Sequence, residues 1–138
     1  MRGFGRAFCD ALMTREPQRV ADYLDDNVEW MVFGPVDLFP FFGERRGKKA
    51  VLATCAQMAE HLQVQDCERE MAIADSGSAA WLMRFTALHA ETGRTLSLRM
   101  ALFARFRDGR LVTARALFDS FDAAEQVLGR HIDLGAMA

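Results

Sequence analysis

The sequence predicts an α+β fold in which a strongly bent antiparallel sheet packs three helices on its concave face. Two observations lead to this fold class. Apolar-rich segments in the last third of the chain are joined by tight turns at Glu91-Thr92-Gly93 and Asp108-Gly109, the pattern of an antiparallel meander. The first half instead carries apolar residues at helical spacing. We therefore expect one curved sheet that encloses a cavity against its helices.

The N-terminal half is predicted to contain three helices and one strand. Apolar residues at helical spacing predict a first helix over residues 3–13 and a third over residues 48–62. Pro17 suits the first turn of a short second helix, which Asp25-Asp26-Asn27 ends. Residues 28–33 then read as a strand, so the chain enters the sheet before its longest helix.

The C-terminal half is predicted to contain four strands and a closing helix. The strands are expected at residues 64–73, 81–89, 96–106 and 111–118. Asp122 followed by Glu125 resembles a capping box, and Gly129 is suited to end the helix that it starts.

Strand alternation assigns the side chains of these strands to two faces. In the strand over residues 64–73, Cys67, Met71 and Ile73 share the face expected to be buried. In the later strands the inward positions are almost wholly apolar, namely Trp81, Met83, Phe85, Leu98, Met100, Leu102, Ala104, Phe106, Ala114, Ala116 and Phe118. The opposite face mixes arginines with Leu88, Phe103 and Leu117, which is typical of a dimer surface. We therefore predict a homodimer through the outer sheet face.

A loop over residues 34–47 is rich in glycine and proline but also carries five large apolar side chains, Val36, Leu38, Phe39, Phe41 and Phe42. So many apolar groups in a loop must pack on something. Two interpretations are open: the loop is a lid over a cavity, or it plugs the core.

Composition restricts the partners. The formal net charge of −2 and the absence of long basic runs argue against a nucleic-acid partner. The densest basic cluster, at residues 45–49, is expected to be solvated. The sequence has no apolar run of membrane-spanning length and no Cys-x-x-Cys or His-x-His pair, so we expect no membrane partner, no metal and no cofactor.

The three cysteines, Cys9, Cys55 and Cys67, are odd in number and lack paired spacing, which favours free thiols in a reducing cytoplasm. Cys55 lies on an apolar helical face and is expected to be a buried, inert thiol. No targeting segment is visible after Met1-Arg2. The sequence therefore predicts a cytoplasmic protein.

Several stretches resemble the nuclear transport factor 2-like superfamily, which includes ketosteroid isomerases and SnoaL-like polyketide cyclases. They are the acidic turn into the first strand at residues 25–30, the glycine-flanked start of the third helix at residues 42–48, and the closing hairpin ending in Arg115-Ala116-Leu117-Phe118. The resemblance implies a cone-shaped α+β barrel, formed by a single SnoaL-like domain over residues 1–138. The fold hosts many functions, so it implies a pocket more firmly than a reaction.

The acids that ketosteroid isomerases use are absent at the matching positions. The general base matches Trp30, and the two oxyanion donors match Phe8 and Leu102. The acid that cyclases and epoxide hydrolases carry on the last strand matches Ala116. Steroid isomerisation by the usual residues is therefore excluded, and aldol cyclisation by the usual residues is disfavoured.

Two other polar groups are candidates for catalysis. Asp37 lies in the aromatic loop, where desolvation would raise its pKa, although a solvent-facing turn residue is the alternative. His89 shares the inward phase of its strand and could exchange protons at a pocket rim, or it could simply end the strand in solvent.

We expect a small hydrophobic or aromatic ligand, with isomerase, cyclase or lyase activity open. The alternative is a noncatalytic ligand-sensing or dimerisation module with a filled core. The predicted ligand contacts are Phe8, Trp30, Phe41, Phe42, Met83, Phe85, Met100, Leu102, Ala116 and Phe118.

Overall fold

A computed structural model describes residues 3–132 of the chain. The helices and strands follow one another as α1 (Phe4–Thr14), a 3₁₀ helix (Pro17–Tyr23), β1 (Leu24–Phe33), β2 (Gly43–Arg46), α2 (Lys48–His61), β3 (Leu62–Ala74), β4 (Ser78–His89), β5 (Thr95–Arg107), β6 (Arg110–Phe118) and α3 (Ser120–Leu128). Every predicted helix and strand is present. β2 lies inside the predicted loop and was not expected, and β1 begins at Leu24 instead of residue 28.

The six strands form one sheet in the order β2-β1-β6-β5-β4-β3. Neighbouring strands are antiparallel except β1 and β6, which are parallel. The α+β class is confirmed, but the sheet is mixed, because β6 returns along β1 after the β3–β5 meander. Register shifts in the β1/β6, β3/β4 and β5/β6 pairs mark bulges, which bend a sheet.

The predicted buried face of β3 is wrong in its second half. Met71 and Ile73 are 57% and 65% exposed. Two register shifts against β4, between Val64 and Asp66 and between Arg69 and Met71, break the alternation on which the prediction rested. β3 is also an edge strand, and its far half has no strand on its outer side.

The start of α3 differs from the capping box that the sequence predicts. The N-cap is Asp119, whose side chain accepts a hydrogen bond from the Asp122 backbone N–H, so Asp122 lies in the first turn. Gly129 ends the helix in the left-handed conformation with φ 70°, as predicted.

A side chain of α3 completes the edge of β5 that β6 leaves free. β6 ends at Phe118, opposite Met100, so the earlier residues of β5 lack a strand partner on that side. Gln126 accepts a hydrogen bond from Ser97 N at 2.7 Å and donates one to Ser97 O at 2.8 Å. The side-chain amide of Gln126 thereby forms the two backbone hydrogen bonds with Ser97 that a residue of a neighbouring strand would form.

The prediction of free thiols is wrong for two of the three cysteines. Cys9 on α1 and Cys67 on β3 form a disulfide, with their Cα atoms 5.8 Å apart. Their separation of 58 residues gave no local spacing from which the pair could be recognised. Cys55 is free and buried, as predicted, and burial raises the pKa of its thiol to about 12. It therefore stays protonated and unreactive.

Candidate functional site

The concave face of the sheet is apolar, as the alternation predicts. Trp81, Met83, Phe85, Leu98, Met100, Leu102, Ala104, Ala114 and Ala116 are buried, while Phe106 and Phe118 are partly buried. Facing them are Phe4, Phe8 and Leu12 of α1 and Val51, Cys55 and Met58 of α2. The buried polar side chains of residues 3–132 are Thr54 and His89. The candidate pocket of the fold is thus an interior without a buried carboxylate in the part of the chain that the structure describes.

This interior is almost completely filled. The void between the helices and the sheet has a volume of about 10 Å³ and is lined by Phe8, Leu12, Met58, Leu62, Val64, Phe85, Leu98, Met100 and Phe118. That volume is at the lower limit of what one water molecule needs, and the apolar lining offers a water no hydrogen bonds. Four of the lining residues are among the predicted ligand contacts. Leu12, Met58, Leu62 and Leu98 carried a usable signal, because they belong to the apolar stripes of the two helices and to an inward strand position. Val64 did not, because it has the phase of the outward Asp66 and turns inward through the register shift between them.

The aromatic loop supplies much of the filling. Phe39, Phe41 and Phe42, hereafter the aromatic plug, are 0–3% exposed. Phe42 stacks on Phe118 with ring centroids 5.0 Å apart, and Phe39 stacks on Phe42 at 5.0 Å. Of the two interpretations of the loop, this structure shows the plug.

The plug is held in place mainly by ring contacts. The backbone hydrogen bonds of its segment close local turns, from Leu38 N and Phe39 N to Pro35 O and from Phe42 N to Phe39 O. The bond from outside the segment comes from Arg45, whose Nη2 donates to Pro40 O at 3.2 Å. Within residues 3–132, withdrawing the plug would therefore break no backbone hydrogen bond to the sheet or to α2.

His89 lies beside the plug at the end of β4. Its side chain is 2% exposed, its Nδ1 is 2.8 Å from Thr92 Oγ1, and its ring meets Phe39 edge-on at 6.2 Å. Desolvation lowers the pKa of His89 below its usual 6.5, nearby Glu91 opposes this, and His61 adds to it. The lowered pKa favours the neutral imidazole, which lies opposite Leu62 of the void lining.

The residues that replace the family acids all lie inside. Phe8, Trp30, Leu102 and Ala116 are 0–2% exposed. The Trp30 ring contacts the Phe8 ring, with centroids 5.9 Å apart. The indole nitrogen of Trp30 is buried and has no hydrogen-bond partner among the residues that the structure describes.

Asp37 lies outside this interior. It is exposed in the segment between β1 and β2, while the neighbouring phenylalanines turn inward. Its assignment to catalysis stays a prediction, and its exposed position does not supply the desolvation of the carboxylate that the prediction requires.

The outer sheet face carries a wide groove. Its volume is about 660 Å³, and its lining includes Glu29, Ile73, Phe103, Arg105 and Arg115. Phe33, Met71, Ile73, Phe103 and Leu117 are 42–65% exposed. Among the charges, Arg84 and Arg99 lie opposite each other across β4 and β5, and Glu70 contacts both, at 3.5 and 3.2 Å. The face thus combines exposed apolar groups with charges, of which Glu70, Arg84 and Arg99 are paired within the chain.

The basic cluster at residues 45–49 is solvated, as expected. Arg46 contacts Glu29 and Glu44, and Lys48 is 3.8 Å from Asp26. None of the helices in residues 3–132 is long and apolar enough to cross a bilayer.

A bent, open sheet covered by helices on an apolar interior defines a protein of the nuclear transport factor 2-like, ketosteroid isomerase-like class. The SnoaL-like domain family model matches residues 5–114, and the chain belongs to that family. A comparison with curated proteins finds no match.

Solved structures agree with this assignment. The chain is similar to a protein from Rhodopseudomonas palustris described as a "Putative Isomerase", with 44% identity, a TM-score of 0.85, and coverage of 92% of this chain and 94% of that one. An NTF2-like protein from Burkholderia xenovorans LB400 is 17% identical with a TM-score of 0.72 over 89% of this chain and 92% of that one. A protein with a ketosteroid isomerase-like fold from Catenulispora acidiphila is 10% identical with a TM-score of 0.75 over 89% and 90% of the two chains. The last two likenesses show the fold alone.

Proposed function

We propose that the chain binds a small hydrophobic or aromatic molecule in its interior, in the space that the aromatic plug fills in this structure. The observation that carries the proposal is the attachment of the plug. Phe39, Phe41 and Phe42 are buried through ring contacts, and the hydrogen bonds of their segment close local turns. An apolar ligand can replace ring contacts, whereas it could not replace a strand ladder.

The energetic balance restricts the ligand. Burying one phenylalanine side chain contributes about 1.5–3 kcal/mol, so withdrawing Phe42 costs an amount of that order. A ligand must return a comparable apolar contact with Phe118 and the void lining. Ring-sized apolar molecules satisfy this condition, while strongly polar or charged molecules would enter an interior without a matching partner.

The pocket is tested with Phe42→Ala, which removes the ring stacked on Phe118. We expect the variant to lose about 3–5 kcal/mol of unfolding free energy, because the ring leaves a cavity. Ethylbenzene should then raise the melting temperature of the variant by more than that of the wild type, since it fills the vacated space. The control is Phe103→Ala, which removes a half-exposed ring from the outer face. If ethylbenzene stabilises neither the wild type nor Phe42→Ala, the proposed pocket is refuted.

A second candidate function is proton transfer on such a ligand, with His89 as the base. It is favoured by the burial of a neutral imidazole against Phe39, whose place the ligand would take, and by the description of the Rhodopseudomonas relative. Isomerisation of a β,γ-unsaturated cyclic ketone to its conjugated isomer is a direct assay. His89→Gln should lower the rate by 10²–10⁴-fold. An equal rate in the variant would remove His89 from the mechanism.

We further propose that two copies of the chain pair through the outer sheet face. The exposed apolar side chains near Phe103 are the support, together with the paired charges around Glu70. Phe103→Gln should weaken self-association at least tenfold in sedimentation equilibrium. Phe121→Gln changes a similarly exposed ring on α3 and should not. A wild-type chain that is monomeric up to about 100 μM, well above the affinity range of stable dimers, would contradict this proposal.

The prediction of a cytoplasmic location rested on free thiols, and the Cys9–Cys67 disulfide removes that argument. Disulfides persist mainly in oxidising compartments. Cell fractionation with thiol-blocking lysis decides the matter, since a cytoplasmic chain should be recovered with the two cysteines reduced.

A further inference from the structure

Arg45 is the residue through which the sheet holds the segment of the aromatic plug. It lies on β2, an edge strand, opposite Trp30 of β1. Residues that face each other across an antiparallel pair lie on the same side of the sheet, and the Trp30 ring packs on Phe8 of α1. The Arg45 side chain therefore lies on the concave side, at the edge of the sheet, where its Nη2 donates to Pro40 O at 3.2 Å.

Arg45 carries a charge that no carboxylate of the described chain neutralises. The residue is partly buried, and its guanidinium donates to two backbone carbonyls, Glu44 O at 2.9 Å and Pro40 O. Its neighbour Arg46 contacts two carboxylates, whereas Arg45 forms no ion pair within residues 3–132. A guanidinium presents a planar fork of N–H donors that matches a carboxylate. Arg45 thus lacks the partner for which its side chain is best suited.

The acceptor that Arg45 holds belongs to the plug itself. Pro40 lies between Phe39 and Phe41, so Pro40 O leaves its place when the plug withdraws. Arg45 stays behind, because β2 is paired with β1 and its Nη1 remains bonded to Glu44 O. Its Nη2 is then without an acceptor beside the vacated space, which lowers the stability of the open form. A ligand that supplies an oxygen there restores the bond, and an anionic oxygen forms the stronger one.

We propose that the ligand is an amphiphilic carboxylic acid, whose carboxylate pairs with Arg45 at the edge of the sheet while its apolar body replaces the aromatic plug. This inference rests on the proposed function and adds the chemical class of the ligand. The charge stays with a partly buried cation at the sheet edge, so the apolar interior receives the ring alone and no charge is buried unpaired. Arg45 exchanges the Pro40 carbonyl for the carboxylate, which couples recognition of the acid to withdrawal of the plug.

Hydrocinnamate and hydrocinnamamide test the proposal, because they share a skeleton and differ in charge. Binding is measured by calorimetry or ligand-detected NMR on the wild type, Arg45→Gln and Arg46→Gln. Arg45→Gln removes the cation and keeps a hydrogen-bond donor, so it should weaken hydrocinnamate roughly tenfold and leave the amide within about twofold. Arg46, on the opposite face of β2, is the matched control. Its replacement removes the same charge and should leave both affinities within that twofold range.

A second readout uses the unaltered protein, in case Arg45→Gln fails to fold. Raising sodium chloride from about 0.01 M to about 1 M shortens the Debye length about tenfold, which screens a partly exposed ion pair. Hydrocinnamate should then weaken by roughly threefold relative to hydrocinnamamide, since screening acts on the charged ligand alone. The amide controls for the effect of salt on apolar contacts.

The outcomes separate this inference from the proposed function. Where Arg45→Gln folds, weakening of both ligands equally, or of neither, overturns the role of Arg45 while the pocket stands. Where it does not fold, an equal response of both ligands to salt does the same. If hydrocinnamate, hydrocinnamamide and ethylbenzene all fail to bind the wild type and Phe42→Ala, the proposed function and this inference fall together.

Discussion

At the scale of single residues, His89 and Trp30 show what burial does to a polar group. Both are 2% exposed in an interior whose other walls are apolar. His89 retains one bond, to Thr92, and its environment favours the neutral ring. Trp30 retains none among the described residues. Each buried polar group lowers the stability of the fold under some condition, so its effect can be measured as a change in the free energy of unfolding.

The pH dependence of stability tests His89. Desolvation, with His61 adding to it and Glu91 opposing it, lowers the pKa of His89 in the folded chain below 6.5. Unfolded histidine binds its proton near pH 6.5, so below that pH the unfolded state holds more protons than the folded state. Stability is therefore expected to fall as the pH drops below about 6.5. Urea unfolding between pH 5 and 8 measures it.

His89→Asn keeps a polar atom near Thr92 and removes the titration, so its stability should vary less than that of the wild type over this range. His131→Asn is the control for the loss of a histidine that is exposed and contacts Glu125 at 3.1 Å instead of being buried. Carboxylates titrate in all three proteins, and differences between the curves isolate His89. Parallel curves for His89→Asn and the wild type would show that His89 is protonated equally in both states.

At the scale of elements, Gln126 replaces a strand partner. Its side-chain amide bonds both backbone groups of Ser97 and also Asp122 Oδ2. Gln126→Ala should lower the unfolding free energy by about 1–2 kcal/mol, because the free edge of β5 returns to water. Amide exchange of Ser97 should accelerate more than that of the paired positions of β5.

Gln57→Ala makes the same chemical change on α2, at a residue that has no side-chain hydrogen bond within residues 3–132, and should cost less than 0.5 kcal/mol, as surface substitutions usually do. Equal losses in the two variants would mean that the bonds of Gln126 to β5 contribute nothing to stability.

The helices and strands show how much of the fold could be predicted from the sequence. Long elements with strong periodicity, such as α1, α2 and β5, were predicted within one residue at each end, because many side chains repeat one signal. β2 was missed because its four residues, Gly43–Arg46, are too few to show an alternation in the sequence. The outward turn of Met71 and Ile73 was missed because a bulge shifts the phase without a residue type that marks it.

The candidate site, like the fold, was predictable from the sequence only in part. The inward positions of β4, β5 and β6 were predictable from alternation. Whether the aromatic loop fills the interior was not predictable, because a lid and a plug need the same apolar residues. The exposure of Asp37 agrees with the alternative that the sequence offered, a solvent-facing turn residue.

At the scale of the whole molecule, one covalent bond joins the first helix to the edge strand of the sheet. The Cys9–Cys67 disulfide closes a loop that contains the 3₁₀ helix, β1, β2 and α2. α1 also contacts the core through apolar side chains that are not part of this bond, because Phe4, Phe8 and Leu12 are buried. The fold should therefore survive reduction with lower stability.

Reducing this bond should lower the unfolding free energy by about 2–4 kcal/mol, because the unfolded chain regains the entropy that a closed loop removes. Urea unfolding with and without a phosphine reductant measures the change, and the Cys9→Ala/Cys67→Ala double variant should be insensitive to the reductant.

Thiol titration checks the pairing itself. The native protein should expose no reactive thiol, because Cys55 is buried with a pKa of about 12. Denaturation should release the one thiol of Cys55, and all three only after reduction. Three thiols in the denatured, unreduced protein would show that the bridge is absent in solution, and the free-thiol interpretation of the sequence would then hold.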